Sequence, residues 1–174
     1  MNQFIVADST QCIGCRTCEI ACATAHMPDS ALTAGTFSPR LKVVKTAMIT
    51  TPVLCRQCEN APCANACPTG AIRYQDHSVQ VQQSFCIGCK SCTLACPYGM
   101  ITVSVAGMPA SATRPAAYHA MAYKCDICRG RSQGPACVEV CPTGALRLIH
   151  PDELQRDQRQ KQRQMAKNVL RGTL

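Results

Sequence analysis

The chain has 174 residues, sixteen of them Cys, with a formal charge of +8, no Trp and three Phe. That length holds one ordinary domain or two small ones and excludes a large catalytic core with a separate cofactor domain. Cys at about 9% of the residues marks a scaffold held by its thiols rather than by aromatic packing. The positive charge, taken alone, points to an anionic partner such as nucleic acid or a membrane surface.

In chain order, the opening segment MNQFIVADSTQC has no basic n-region, apolar h-region or twin-arginine pair. No 18-residue apolar run follows it. The expectation is a cytoplasmic protein with no membrane span of its own. In that reducing compartment thiols bind metal more often than they form disulfides. Export on a partner that carries a signal stays open.

Four Cys runs then repeat one pattern: Cys12, Cys15, Cys18, Cys22; Cys55, Cys58, Cys63, Cys67; Cys86, Cys89, Cys92, Cys96; and Cys125, Cys128, Cys137, Cys141. All sixteen thiols are used. Pro68, Pro97 and Pro142 follow the last Cys of three runs, and TGAIRY, YGMITV and TGALRL come next. Each of these predicts a turn into a short strand. The segment IRYQDHSVQV predicts a hairpin between the second and third runs. Residues 105–122, rich in Ala, Pro and Ser, predict a surface linker, and RGRSQGPA before Cys137 a loop outside any site. The tail from 151 to 174 predicts a solvated helix or flexible end; docking through Leu154, Met165, Val169 and Leu170 is its alternative reading.

The stretch from Cys86 to Pro97, CIGCKSCTLACP, matches the spacing C-x2-C-x2-C-x3-C-P of bacterial iron–sulfur ligands. Three Cys at two-residue gaps wrap three corners of one cubane, with Gly14 and Gly88 where the backbone must come close. The three-residue gap starts a helix that carries the fourth sulfur to another cluster, as in two-cluster ferredoxins. Each run therefore needs a partner run. Only eighteen residues separate Cys67 from Cys86, which pairs the second and third runs. One cluster is expected on Cys55, Cys58, Cys63 and Cys96, and another on Cys67, Cys86, Cys89 and Cys92. By elimination the others fall on Cys12, Cys15, Cys18 with Cys141, and on Cys22 with Cys125, Cys128, Cys137. Spacing alone leaves a tandem pairing of the first run with the second open.

The phrases LCRQCENAPCANACPTGAI, CIGCKSCTLACPYG and GPACVEVCPTGAL resemble the four-cluster polyferredoxins of the HydN type. They also resemble the small iron–sulfur subunits of formate hydrogenlyase and of molybdopterin oxidoreductases. The resemblance runs from the N-terminus through Leu148 and implies four 4Fe-4S clusters, the nested pairing above, and cytoplasmic electron transfer. It implies as partners a molybdopterin-dependent catalytic subunit, a formate dehydrogenase, and a second redox protein such as a hydrogenase. Cys22 departs from the pattern, being followed by Ala23 rather than Pro.

Zinc fits poorly, because its knuckles need two CxxC hooks per ion rather than three Cys in seven residues. Four oxidised clusters with their thiolates carry about −8, which offsets the formal +8 and removes the main argument for nucleic acid. Arg16, Arg56, Lys90 and Arg129 in the ligand loops then read as charge balance, with tuning of potential as the sharper alternative. Ile13, Ile87, Leu94, Val138 and Val140 are expected to keep water from the clusters. His26, His77, His119 and His150 follow no ligand spacing and read as surface or structural residues. No nucleophile triad, carboxylate pair or phosphate loop is present.

The expected fold class is α+β with two ferredoxin-like modules, each binding two clusters. The outer module comprises residues 1–50 and 120–150, the inner one 51–104, with a linker at 105–119 and a basic tail at 151–174. The expected function is electron relay with no catalytic site. An accessory or maturation factor for a metalloenzyme is the alternative, and a stand-alone enzyme a more distant one.

Overall fold

A computed structural model of the chain describes residues 1–27, 37–108 and 117–170. Its strands are β1 (Phe4–Ala7), β2 (Lys42–Lys45), β3 (Thr50–Val53), β4 (Ile72–Gln75), β5 (Ser78–Val81), β6 (Thr102–Met108), β7 (Ala117–Tyr123) and β8 (Leu146–Ile149). Its helices are α1 (Thr17–Ala25), α2 (Pro62–Asn65), α3 (Ser91–Ala95), α4 (Ala136–Glu139) and α5 (Pro151–Leu170). The strands form antiparallel pairs β2–β3, β4–β5, β6–β7 and β1–β8. The last joins the N-terminal segment to the strand that follows the fourth Cys run, Phe4 opposite Ile149 and Ala7 opposite Leu146.

Each Cys run owns one short helix, and each helix starts one residue before the third Cys rather than after it: Thr17 before Cys18, Pro62 before Cys63, Ser91 before Cys92, Ala136 before Cys137. The reason is local. Pro62 supplies a pre-set φ and needs no N–H partner at the first helical turn, whereas α1 and α3 start from Arg16 and Lys90 in left-handed geometry. That bend turns the chain sharply out of its ligand loop. Helix α1 packs on α4, and α2 on α3.

Two small cores follow the same division. One gathers Ala61, Ala71, Ile72, Val79, Ile101 and Ala122 around Cys63, Cys86 and Cys92. The other gathers Ile5, Leu41, Val43, Leu54 and Leu146 around Cys18, Cys22 and Cys137. Glu19, buried in α1, accepts a hydrogen bond from the Val43 N–H at 2.7 Å and pins this helix to β2.

The hairpin read from IRYQDHSVQV forms as β4–β5, Ile72 opposite Val81. Its two turn residues, Asp76 and His77, both have positive φ, 48° and 57°, the two-residue geometry whose twist matches the flanking strands. Residues 78–80 are buried on both faces of β5, because Val79 enters the apolar core while Gln80 reaches the Asp126 carbonyl and also donates to Ser78 Oγ.

The stretch expected as a linker, 105–119, differs. Its first and last residues belong to β6 and β7, a seven-residue hairpin pairing Thr102 with Tyr123 and Met108 with Ala117; residues 109–116 lie outside the described residues. Small side chains masked the strand pattern and have a structural use. A methyl group added at Gly88 would collide with Ala120 of β7, and one at Gly14 would come within 2.6 Å of Thr50 in β3. The two glycines therefore admit a covering hairpin against the ligand loop, beyond any approach to metal. The expected solvated helix of the tail is present as α5, with Met165 and Val169 exposed. No helix among the described residues is long and apolar enough to cross a membrane.

Gly88 and Gly99 have nearly equal positive φ, 68° and 63°, yet only Gly88 has a close neighbour. Alanine at Gly99 is expected to cost about 1–2 kcal/mol from left-handed geometry alone. Alanine at Gly88 should cost clearly more, seen as a larger drop in the melting temperature followed anaerobically by circular dichroism.

Candidate metal centres

The structure brings the thiols together in quartets. Three cavities of nearly equal size, about 330, 330 and 320 Å³ with their mouths, are each lined by four Cys. One is walled by Cys12, Cys15, Cys18 and Cys141, one by Cys55, Cys58, Cys63 and Cys96, and one by Cys67, Cys86, Cys89 and Cys92. Cys137 lies within electrostatic reach of Cys22, Cys125 and Cys128, and also of Cys18; Cys22 and Cys137 share one core, with Cys125 packed against it. In each of the three cavities three sulfurs come from one run and the fourth from another. All sixteen are free thiols.

Their environments divide into rim and interior. Burial raises the thiols of Cys18 and Cys63 to about 11 and that of Cys125 to about 12, and it raises Cys137 further still. Cys15 and Cys89, at the surface, are lowered by hydrogen bonds from Thr17 and Ser91. For Cys67 and Cys141 burial works upward, but bonds from Thr69, Thr143 and backbone N–H groups outweigh it. Backbone N–H donors reach further sulfurs, Arg40 to Cys22 at 3.3 Å and Met100 to Cys96 at 3.5 Å. Four thiolates in one dry cavity repel one another; a cation removes that repulsion, and its binding releases the thiol protons.

The loops between the sulfurs are strained toward the cavities. Among the described residues seven non-glycine residues have positive φ, and five of them, Arg16, Gln57, Lys90, Ile127 and Cys128, lie within the Cys runs. Such geometry turns successive N–H groups toward one concave side, an anion-binding arrangement. The cost, about 1–3 kcal/mol per residue, persists where surrounding structure over-determines the loop.

Inward walls are supplied by Ala71, Ile72 and Val103 at one cavity, Val43, Pro52 and Leu146 at a second, and Ala61, Val79 and Ile101 at a third. Of the residues expected to exclude water, Val138 packs against the core around Cys18, Cys22 and Cys137, while the others do less. Leu94 is 89% exposed, and Ile13 and Ile87, 67% and 64% exposed, sit at the outer lips of their cavities. The x-position next to a ligand Cys faces outward because the loop turns its N–H inward. Arg16, Arg56, Lys90 and Arg129 are exposed for the same reason.

Two buried networks gave no sequence signal. His26 sits between the Cys22 carbonyl, 2.7 Å from Nδ1, and Asp126 Oδ1, 2.9 Å from Nε2. Burial opposes its protonation, but bonds to Asp126, Cys128 and Cys22 prevail and raise it to about 12. Asp126 also binds Arg40 at 2.6 Å and accepts from the Cys128 N–H at 3.0 Å. Burial alone would raise its carboxyl, yet these partners hold it well below the usual carboxylate range. The second network centres on Gln57, which donates to the Cys125 carbonyl at 2.8 Å and accepts from the Val79 N–H at 2.8 Å. Asn2 donates to the Gln57 and Cys58 carbonyls, and Lys124 donates to Gln57, Val79 and Cys125.

Ligand atoms of His26, Asp126 and Cys128 also lie within 4.8 Å of one another. Both ring nitrogens of His26 are committed to acceptors, so this group reads as a strut between the first and fourth runs. The four quartets offer sulfur alone, in cavities shared between two loops, and this donor set fits 4Fe-4S clusters. Zinc knuckles draw two hooks of two Cys each; here the division is three and one.

Comparison with known proteins agrees. A 4Fe-4S dicluster domain matches residues 46–150. The electron transport protein HydN of Escherichia coli (strain K12) is 46% identical over 95% of this chain and 98% of its own length. Formate hydrogenlyase subunit 2 of the same strain is 39% identical over 100% of this chain and 94% of its own. Hydrogenase-4 component A, also of that strain, is 38% identical over 99% and 94%. The chain thus belongs to the 4Fe-4S dicluster family, as an iron–sulfur electron-transport protein of the HydN kind.

Proposed function

We propose that the chain holds four 4Fe-4S clusters in two ferredoxin-like modules and relays electrons between two redox partners. The outer module is assembled from both ends of the chain around the inner one. What supports this reading most is reciprocity: α1 carries Cys18 into one cavity and Cys22 toward Cys125, Cys128 and Cys137, while the fourth run returns Cys141 to the first. The second and third runs exchange Cys67 and Cys96 in the same way. The β1–β8 pairing favours this nested arrangement over a tandem one.

When bound, such clusters supply one-electron oxidation and reduction. The chain's own residues hold them by thiolate, direct N–H groups at them and keep water out. Cys15 and Cys89 are exposed and belong to different quartets, while Cys137 is buried and Cys125 half-buried, within electrostatic reach of Cys55. A succession of quartets from one exposed end to the other is the layout that a relay needs. The names of the formate hydrogenlyase and hydrogenase-4 relatives support redox partners of the formate- and hydrogen-metabolising kind; the sequence resemblance adds a molybdopterin formate dehydrogenase at one end and a cytoplasmic setting.

Anaerobic affinity purification is expected to yield about sixteen iron atoms per chain and a catalytic chain in fixed ratio. A maturation factor would give iron without that ratio. Paired substitutions test the sharing of ligands. Cys22→Ser with Cys137→Ser should remove one cluster, about four irons, whereas Cys18→Ser with Cys22→Ser should remove two, about eight. Equal losses in the two pairs would contradict the nested assignment.

A further inference from the structure

Lys124 is 2% exposed. Its ammonium is enclosed by neutral oxygens: the Val79 carbonyl, the Cys125 carbonyl at 2.8 Å and Gln57 Oε1 at 3.4 Å. No carboxylate among the described residues pairs with it; the ion pairs there use the N-terminus, His26, Arg40, Arg129 and Arg131. A buried ammonium without a counter-charge is strongly disfavoured, so an anion must stand nearby.

The surroundings name it. Lys124 lines the cavity walled by Cys55, Cys58, Cys63 and Cys96, and it directly precedes Cys125, whose carbonyl it grips. Gln57 bonds both Lys124 and the Cys125 carbonyl, fixing the ammonium where two quartets from different halves of the chain approach each other. The cations in the ligand loops are exposed and screened by solvent; this one is not.

We propose that Lys124 is the shared counter-cation of the second and fourth quartets, raising the reduction potential of the two clusters they hold and so easing electron passage between the halves. The proposal rests on the assignment of those quartets as cluster ligands. Reduction by one electron adds one negative charge beside the ammonium, with no bond made or broken and no proton moved.

The test is an anaerobic redox titration of the reconstituted full chain, followed by electron paramagnetic resonance and with iron counted in every sample. Lys124→Gln keeps a donor but removes the charge. It should move two of the four midpoints to more negative values by at least tenfold in the reduction equilibrium, about 59 mV for one electron, and leave the other two in place. Lys124→Arg should restore both. If Lys124→Gln loads less iron, Lys124→Met, which keeps the length of the stem, serves the same comparison. Full iron with four unmoved midpoints would overturn the proposal and leave Lys124 a structural residue, as would an equal shift of all four. Failure of the cluster assignment itself is distinguishable, because the wild-type chain would then lack its iron and its paramagnetic signals.

Discussion

None of the three Cys-lined cavities draws its four thiols from a single Cys run. Each takes three sulfurs from one loop and one from another, and where the first and fourth runs meet the two loops lie more than a hundred residues apart. Closing such loops costs chain entropy, and burying four thiolates together adds repulsion. An inorganic centre that bonds all four opposes both terms at once, which is why so small a protein can manage with two minor apolar cores and little aromatic packing. Helix starts, left-handed loop residues and the pairing of the two chain ends all follow from bringing those sulfurs to one place.

The joint between the halves obeys a different rule. Among the described residues, six polar side chains are buried: Asn2, Glu19, Gln57, Ser78, Gln80 and Lys124. Five of them, all but Glu19, lie along the contact of the second run and β5 with the N-terminus and fourth run. Such a hydrogen-bonded polar seam fixes one register, since a slip leaves buried groups without partners. An apolar seam would tolerate sliding. A relay needs constant spacing between its centres, so specificity matters here more than raw adhesion.

Much of this was legible in the residues. The four Cys runs, the turn-and-strand after each Cys-Pro and the β4–β5 hairpin all carry short-range signals: spacing, proline, alternation. The thiol sets that line the three cavities coincide with sets expected from spacing and elimination, although spacing also allowed the first run to pair with the second. The β1–β8 pairing favours the nested arrangement, and two four-residue strands so far apart in sequence carry no mark of each other. The β6–β7 hairpin was hidden because Ala120 is small to suit Gly88, so strand propensity gave way to a contact. Lys124 and Gln57 resemble the solvent-facing residues of neighbouring loops, and only the packing of one half on the other buries them. His26 follows no ligand spacing because it braces carbonyl and carboxylate rather than metal.

The most direct measurement is anomalous diffraction from crystals of the anaerobically purified chain, collected on both sides of the iron and zinc absorption edges. The account predicts four iron centres, one of them bonded by Cys12, Cys15 and Cys18 together with Cys141. Zinc at these positions, or a first run completed by a sulfur of the second, would contradict it.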